Sequence, residues 1–201
     1  MLVGKRAGRD SCRQEDINAL MLKLAREGRR VVRLKSGDPM IFGRGGEEIA
    51  ALDAAGIPVE IVPGITTAQA VAAATGISLT HRDHARSVRY VTGHGRDGAL
   101  PADMDWRGLA DPATTLVVYM GARTAGAISH RLRREGLPPR TPALAMCAVG
   151  HTQQRRWRGP IEDLANGIAT LDHDAPIIIA IGDALAQRAV VRTQGEDARA
   201  A

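Results

Sequence analysis

Residues 31–48, Val-Val-Arg-Leu-Lys-Ser-Gly-Asp-Pro-Met-Ile-Phe-Gly-Arg-Gly-Gly-Glu-Glu, restrict the possible folds more than any other stretch of this chain. β-branched residues run into a turn, and the turn runs into a glycine-interrupted loop that opens a helix, which is the pattern of strand, ligand loop and helix in an α/β protein. In Ser36-Gly37-Asp38-Pro39, Gly tolerates positive φ, Asp can bond its own backbone and Pro fixes the exit. Gly37, Gly43, Gly45 and Gly46 leave the main chain uncovered, so backbone N–H and C=O groups can approach a small polar ligand closely.

Two nucleotide motifs are excluded here. A P-loop ends in Gly-Lys-Ser/Thr, whereas Gly43-Arg44-Gly45-Gly46 leads to Glu47-Glu48. The three-glycine spacing of the dinucleotide fingerprint is absent as well. Carboxylates at a helix start suit the helix dipole but repel a phosphate.

The remaining chain alternates helices with strands. Ser11 is expected to cap a helix over 13–26, with Ile17, Leu20, Met21 and Leu24 on one face and Gly28 as its stop. Val31 to Lys35 reads as a buried strand, 46–55 as a helix ended by Gly56, and Ile57 to Val62 as the next strand, with Pro58 near its start. Pro63 to Thr67 leads into a small-residue helix over 68–75, where hydroxyls and free N–H groups converge at Thr66 and Thr67. Residues 77–83 read as the passage between two domains. Further strands are expected over 87–92, 114–119, 142–148 and 175–181, with an edge strand over 155–158. Helices are expected over 125–135 and from 159 onward. Met120 and Gly121 then follow a strand's carboxyl end, the place where open α/β sheets bind ligands.

Composition narrows the class. In 201 residues, 44% hydrophobic content supports a sizeable core, and 2% aromatic content means that Ala, Val, Leu and Ile build it. No apolar run reaches membrane-spanning length, and the first six residues lack a signal peptide's apolar region, so a cytoplasmic protein without a membrane partner is expected. Cys12 and Cys147 stand far apart, which excludes zinc-ligand spacing and suits a reducing compartment. His81 and His84 sit three apart without a third ligand, so no metal site is assigned. His81-Arg82-Asp83 imitates a kinase catalytic loop, but Val88 stands where that loop needs Asn. The net charge of +5, from 27 basic and 22 acidic residues, comes without the basic-aromatic interleaving of a nucleic-acid binder. Scattered arginines suit a multiply anionic small molecule instead.

Val3 to Gly8, Arg33 to Pro39, Ile41 to Glu48, Val62 to Thr66, Leu79 to Asp83, Val91 to His94 and Tyr119 to Gly121 occur in this order in the uroporphyrinogen-III C-methyltransferases, including the methyltransferase half of sirohaem synthases. The chain resembles that family of tetrapyrrole methylases from about Leu2 to Asp183. The resemblance implies an α/β fold of two lobes, about 1–82 and 83–201, with the active-site cleft between them. It also implies that the first lobe is incomplete, because the family's first strand, its Gly-Pro-rich donor loop and an acidic base have no counterpart here.

The implied activity is transfer of methyl groups from S-adenosyl-L-methionine to two ring carbons of an anionic tetrapyrrole, uroporphyrinogen III, giving precorrin-2. Resemblance places Ser36, Gly37, Asp38 and Ile41 around the donor, with Thr66 and Thr67 on a second side and Met120 and Gly150 from the second domain. Lys5 is the proton-donor candidate, and Arg6, Arg44 and Arg82 are candidates for substrate carboxylates. A homodimer is expected. Ser36 for Gly, Met40 for Phe, Thr67 for Ala and the segment 147–151 depart from the family's pattern. Two alternatives stand beside this reading: a methylase acting on a later corrin precursor, and a catalytically silent dimerising lobe.

Overall fold

The computed structural model describes residues 12–95, 97–171 and 175–187. These residues form two compact units that divide between Thr66 and Thr67.

The first unit is helical. Helix α1 (Gln14–Arg26) carries Gln14, Ile17 and Met21 on one buried face, acidic residues in its first turn and basic ones in its last, each complementing the helix dipole. The capping position is Arg13, which makes no side-chain cap; Ser11, the expected cap, lies outside the described residues. The stop is as expected. Gly28 has φ +72°, and the Arg29 amide closes back onto the Leu24 carbonyl. Helix α2 (Gly45–Asp53) follows the glycine loop and ends before Gly56, at φ +68°.

Both strands expected in this unit are corrected. Among the described residues, 31–35 and 57–62 pair with no strand, and their apolar side chains face outward: Val32 is 79% exposed, Leu34 85% and Val62 73%. β-branched residues favour a pleated surface only when cross-strand neighbours cover it and accept its backbone hydrogen bonds, and among the described residues these segments have no such neighbour. Ile17 and Met21 are the buried apolar side chains described here.

The second unit is a five-stranded mixed sheet covered on both faces. Its elements are α3 (Thr67–Thr75), β1 (Ser87–Thr92), α4 (Trp106–Leu109), β2 (Thr114–Tyr119), α5 (Ala125–Arg134), β3 (Pro142–Cys147), β4 (Arg155–Pro160), α6 (Leu164–Ala169) and β5 (Ile177–Ile181). The strand order is β1-β2-β5-β3-β4; β1 and β2 are parallel, while β5 runs antiparallel to both β2 and β3. Every β5 residue is buried, as are the first five of β2 and the last five of β3, which explains why these strands read as unbroken apolar runs.

Alternation sorts their side chains between two cores. Leu116, Val118, Ala145, Ile177 and Ile179 face Ile128, Leu132, Leu164 and Ile168 of α5 and α6, while Val117, Leu144, Met146, Ile178 and Ala180 face Ala68 and Val71 of α3. Trp157 of β4 packs against the first of these cores. An alanine at Gly167 would place its Cβ 2.0 Å from the indole Cε2, so that glycine makes room for the ring.

Candidate functional site

In the first unit the site is the loop after residue 35. Gly37 has φ +72°, which turns the chain, and Asp38 then fastens it. One Asp38 oxygen accepts the Met40 amide at 2.8 Å and the other accepts the Gly64 amide at 3.0 Å. These two bonds, Gly64 first, hold the Asp38 carboxyl below the usual carboxylate range. Gly64 is required for this approach: a Cβ there would sit 2.1 Å from the Gly37 carbonyl oxygen. The loop then curls over the Pro39 carbonyl, which accepts the Gly45 amide at 3.2 Å. Phe42 and Arg44 adopt left-handed φ of +51° and +57°, conformations costly for residues with a Cβ.

Ser36, Gly37 and Ile41 are exposed, Asp38 is half-buried and Thr66 is buried. Arg44 does not stand free, since its guanidinium pairs with Glu47 at 2.7 Å. Lys5 and Arg6 lie outside the described residues.

In the second unit three strands end together at one side of the sheet. β1, β2 and β3 all finish on the same side, because β5 runs opposite to β2 and β3 and lies between them. Met120, which leaves β2 with φ +57°, is 45% exposed; Ala148, which leaves β3, has φ +48°, and Gly150 has φ +80°. Two consecutive strand exits held in the left-handed region by residues with side chains mark a strained rim, and such strain concentrates where ligands bind. Met120 and Gly150 therefore belong to neighbouring exits, about 10 Å apart at the usual strand spacing.

The carboxyl ends of β1 and β2 are locked by glycine: a Cβ on Gly93 would meet the Gly121 Cα at 2.3 Å. Thr124 also donates its hydroxyl to the Gly93 carbonyl at 2.6 Å. The Tyr119 hydroxyl accepts the Ala68 amide at 3.2 Å, which brings the first turn of α3, with Thr67, to the exit where Met120 sits.

Two residues of these sites were not anticipated from the sequence. Tyr119 enters the sequence reading as a strand residue and as part of the Tyr119 to Gly121 motif, with no role for its hydroxyl, although the chain has just two tyrosines and their rings stand 5.8 Å apart on β1 and β2. Glu48 was read as a carboxylate suiting a helix dipole, yet it is buried at 6% exposure and accepts from Gln14 (3.1 Å), Arg33 (3.3 Å) and Lys35 (2.7 Å). His81 and His84 stack at 4.7 Å, and the His81 Nδ1 accepts the Asp83 amide.

Residues 3–165 match the family of tetrapyrrole (corrin/porphyrin) methylases. Over 181 residues the chain is 47% identical to a uroporphyrinogen-III C-methyltransferase of Paracoccus denitrificans, covering 90% of this chain and 62% of that one. It is 46% identical over 188 residues to a sirohaem synthase of Pseudomonas paraeruginosa, covering 94% of this chain and 40% of that one. This chain thus spans between two fifths and about three fifths of those two curated relatives. Among solved structures it is similar to a uroporphyrin-III C-methyltransferase of Thermus thermophilus complexed with S-adenosyl homocysteine (TM-score 0.74, 39% identity, 86% of this chain and 74% of that one). A cobalt precorrin-4 methyltransferase gives a TM-score of 0.77 at 27% identity, over 89% of this chain and 73% of that one.

Proposed function

The chain belongs to the tetrapyrrole methylase family, and from that premise we propose that it carries the donor loop and sheet rim of an S-adenosyl-L-methionine-dependent enzyme that C-methylates uroporphyrinogen III. The observation that carries this reading is the 39% identity, over 86% of the chain, to an enzyme solved with S-adenosyl homocysteine. The cobalt precorrin-4 enzyme matches the fold as well but at 27% identity, which favours uroporphyrinogen III over a later corrin precursor.

The residues present fit the donor. Each Asp38 oxygen accepts one backbone amide and so keeps acceptor capacity for a ligand hydroxyl or ammonium group. Gly37 and Gly150, both at positive φ, offer main chain without a Cβ in the way, and Met120 offers an exposed thioether. When bound, the sulfonium supplies an already activated methyl group. The protein's share is then positioning and exclusion of water, with one proton to be moved from the methylated ring. In this proposal Asp38 orients the donor, Ser36, Ile41, Thr66 and Thr67 wall it, and Lys5 handles the proton. Arg6, Arg44 and Arg82 meet the substrate's carboxylates, for which Arg44 has to exchange Glu47 for substrate. We place the protein in the cytoplasm as a homodimer. No helix among the described residues is long and apolar enough to cross a membrane.

Two measurements test the proposal. Calorimetric titration with S-adenosylhomocysteine is expected to show saturable binding. Incubation with S-adenosylmethionine and uroporphyrinogen III is expected to give a product heavier by two methyl groups. A folded chain that takes up no donor product at millimolar concentration would overturn the reading.

A further inference from the structure

We propose that Glu48 is a positioning residue for the donor loop, holding in place the segment that delivers Ser36, Gly37 and Asp38. The inference rests on the donor-site reading above and adds a residue to it. A ligand loop that follows a strand is normally aimed by the hydrogen-bond ladder on either side of that strand. Among the described residues, 31–35 have no such ladder, and the contacts that fix where residue 36 begins are those of side chains.

The side chains of this segment alternate. Val32 and Leu34 point outward, while Arg33 and Lys35 turn inward to one carboxylate, that of Glu48 in the first turn of α2. Glu48 Oε2 receives the Lys35 ammonium at 2.7 Å, and Oε1 receives Arg33 Nε at 3.3 Å and Gln14 Nε2 at 3.1 Å. Arg33 passes the constraint to the main chain, since its Nη1 donates to the Leu34 carbonyl at 3.0 Å. Gln14 is fixed in turn against Asn18 of α1. Three pieces of chain, α1, α2 and residues 33–35, therefore meet at a single buried acid, and Lys35 is bonded directly to the first loop residue. With two cations converging on it, Glu48 cannot be replaced by a neutral isostere without leaving positive charge uncompensated.

The test compares wild type with Glu48→Gln in two ways. One is ligand-free hydrogen exchange, read over residues 36–45 and, as reference, over α1, α2 and α5. The other is S-adenosylhomocysteine affinity together with donor KM and kcat. A positioning role predicts loop amides that exchange at least about tenfold faster while the helices are unchanged. It also predicts donor affinity weakened about tenfold, a KM raised in proportion and kcat at saturating donor within about threefold. Glu48→Asp should recover part of both effects. The proposal is overturned if loop exchange stays at the wild-type rate, if α1 and α2 loosen as much as the loop, or if donor affinity remains within about twofold of wild type. Wild type that binds no donor product would defeat the donor reading alone, and the exchange comparison would still decide what Glu48 does. Should Glu48→Gln fail to fold, Lys35→Met removes the 2.7 Å contact nearest the loop and is judged by the same two readings.

Discussion

Gly64→Ala probes the donor loop most directly, because the consequence can be worked from one contact. The new Cβ would stand 2.1 Å from the Gly37 carbonyl oxygen and 3.0 Å from the Gly37 carbonyl carbon, both backbone atoms that cannot rotate away. Restoring an ordinary carbon–oxygen separation requires the two segments to part by about 1 Å. The Asp38–Gly64 hydrogen bond, 3.0 Å at present, would then exceed bonding distance. Forcing a methyl group into a packed site costs about 1–3 kcal/mol of stability. A misplacement of about 1 Å at a positioning group costs up to about a hundredfold, so S-adenosylhomocysteine affinity is expected to fall between about ten- and a hundredfold. Calorimetry on the folded variant reads this directly. Gly46→Ala serves as control, since its Cβ meets nothing within 4 Å and it lies inside α2, where replacing Gly adds about 0.5–1 kcal/mol of stability. If Gly64→Ala binds within about twofold of the Gly46→Ala control, the close approach of residues 37 and 64 does not shape the donor site and the reasoning fails.

Gly167→Ala drives a Cβ into the Trp157 indole, 2.0 Å from Cε2, and should displace the ring at a cost of about 2–3 kcal/mol, seen as a lower Tm and altered tryptophan fluorescence. Ala148→Gly should raise Tm slightly, by the equivalent of a few tenths to about 1 kcal/mol, because the residue sits at φ +48°; calorimetry of unfolding checks the sign. Burial pushes the Glu48 carboxyl up, but hydrogen bonds from Lys35 and Gln14 and the charges of Lys35 and Arg33 outweigh it, so its pKa ends below the ordinary value. A carboxyl depressed in the folded state adds stability above its unfolded pKa, about 4.3, and loses it as the pH falls through the folded value. Denaturant midpoints should therefore hold between pH 7 and about 5 and drop below about 4, with a shallower drop in Glu48→Gln.

The legibility of the sequence differed between the two units for a physical reason. In the second, 114–119 is legible as an apolar run, the mark of a strand buried on both faces, and 87–92 is legible by alternation, which suits the half-exposed edge strand β1. In the first, 31–35 and 57–62 carry the same β-branched composition yet pair with no described strand, since propensity reports how a residue would sit beside a neighbour and cannot say whether one is present. The turn chemistry of Gly37 and Asp38 was legible because it is local, with Asp38 bonding the amide two residues on. Tyr119 and Glu48 escaped notice because their partners, Ala68 and Gln14, lie 51 and 34 positions away along the chain. Only the folded backbone brings such pairs together.

The placement of β5 between β2 and β3 bears on how this chain emerges from the ribosome. Two half-sheets, β1-β2 and β3-β4, can form early, but each exposes an open, strongly apolar edge until Ile177 to Ile181 arrive to join them. Among the described strands the sheet is therefore completed by the one that follows all the others in the chain, and a nascent chain that stalls before that point holds two sticky edges.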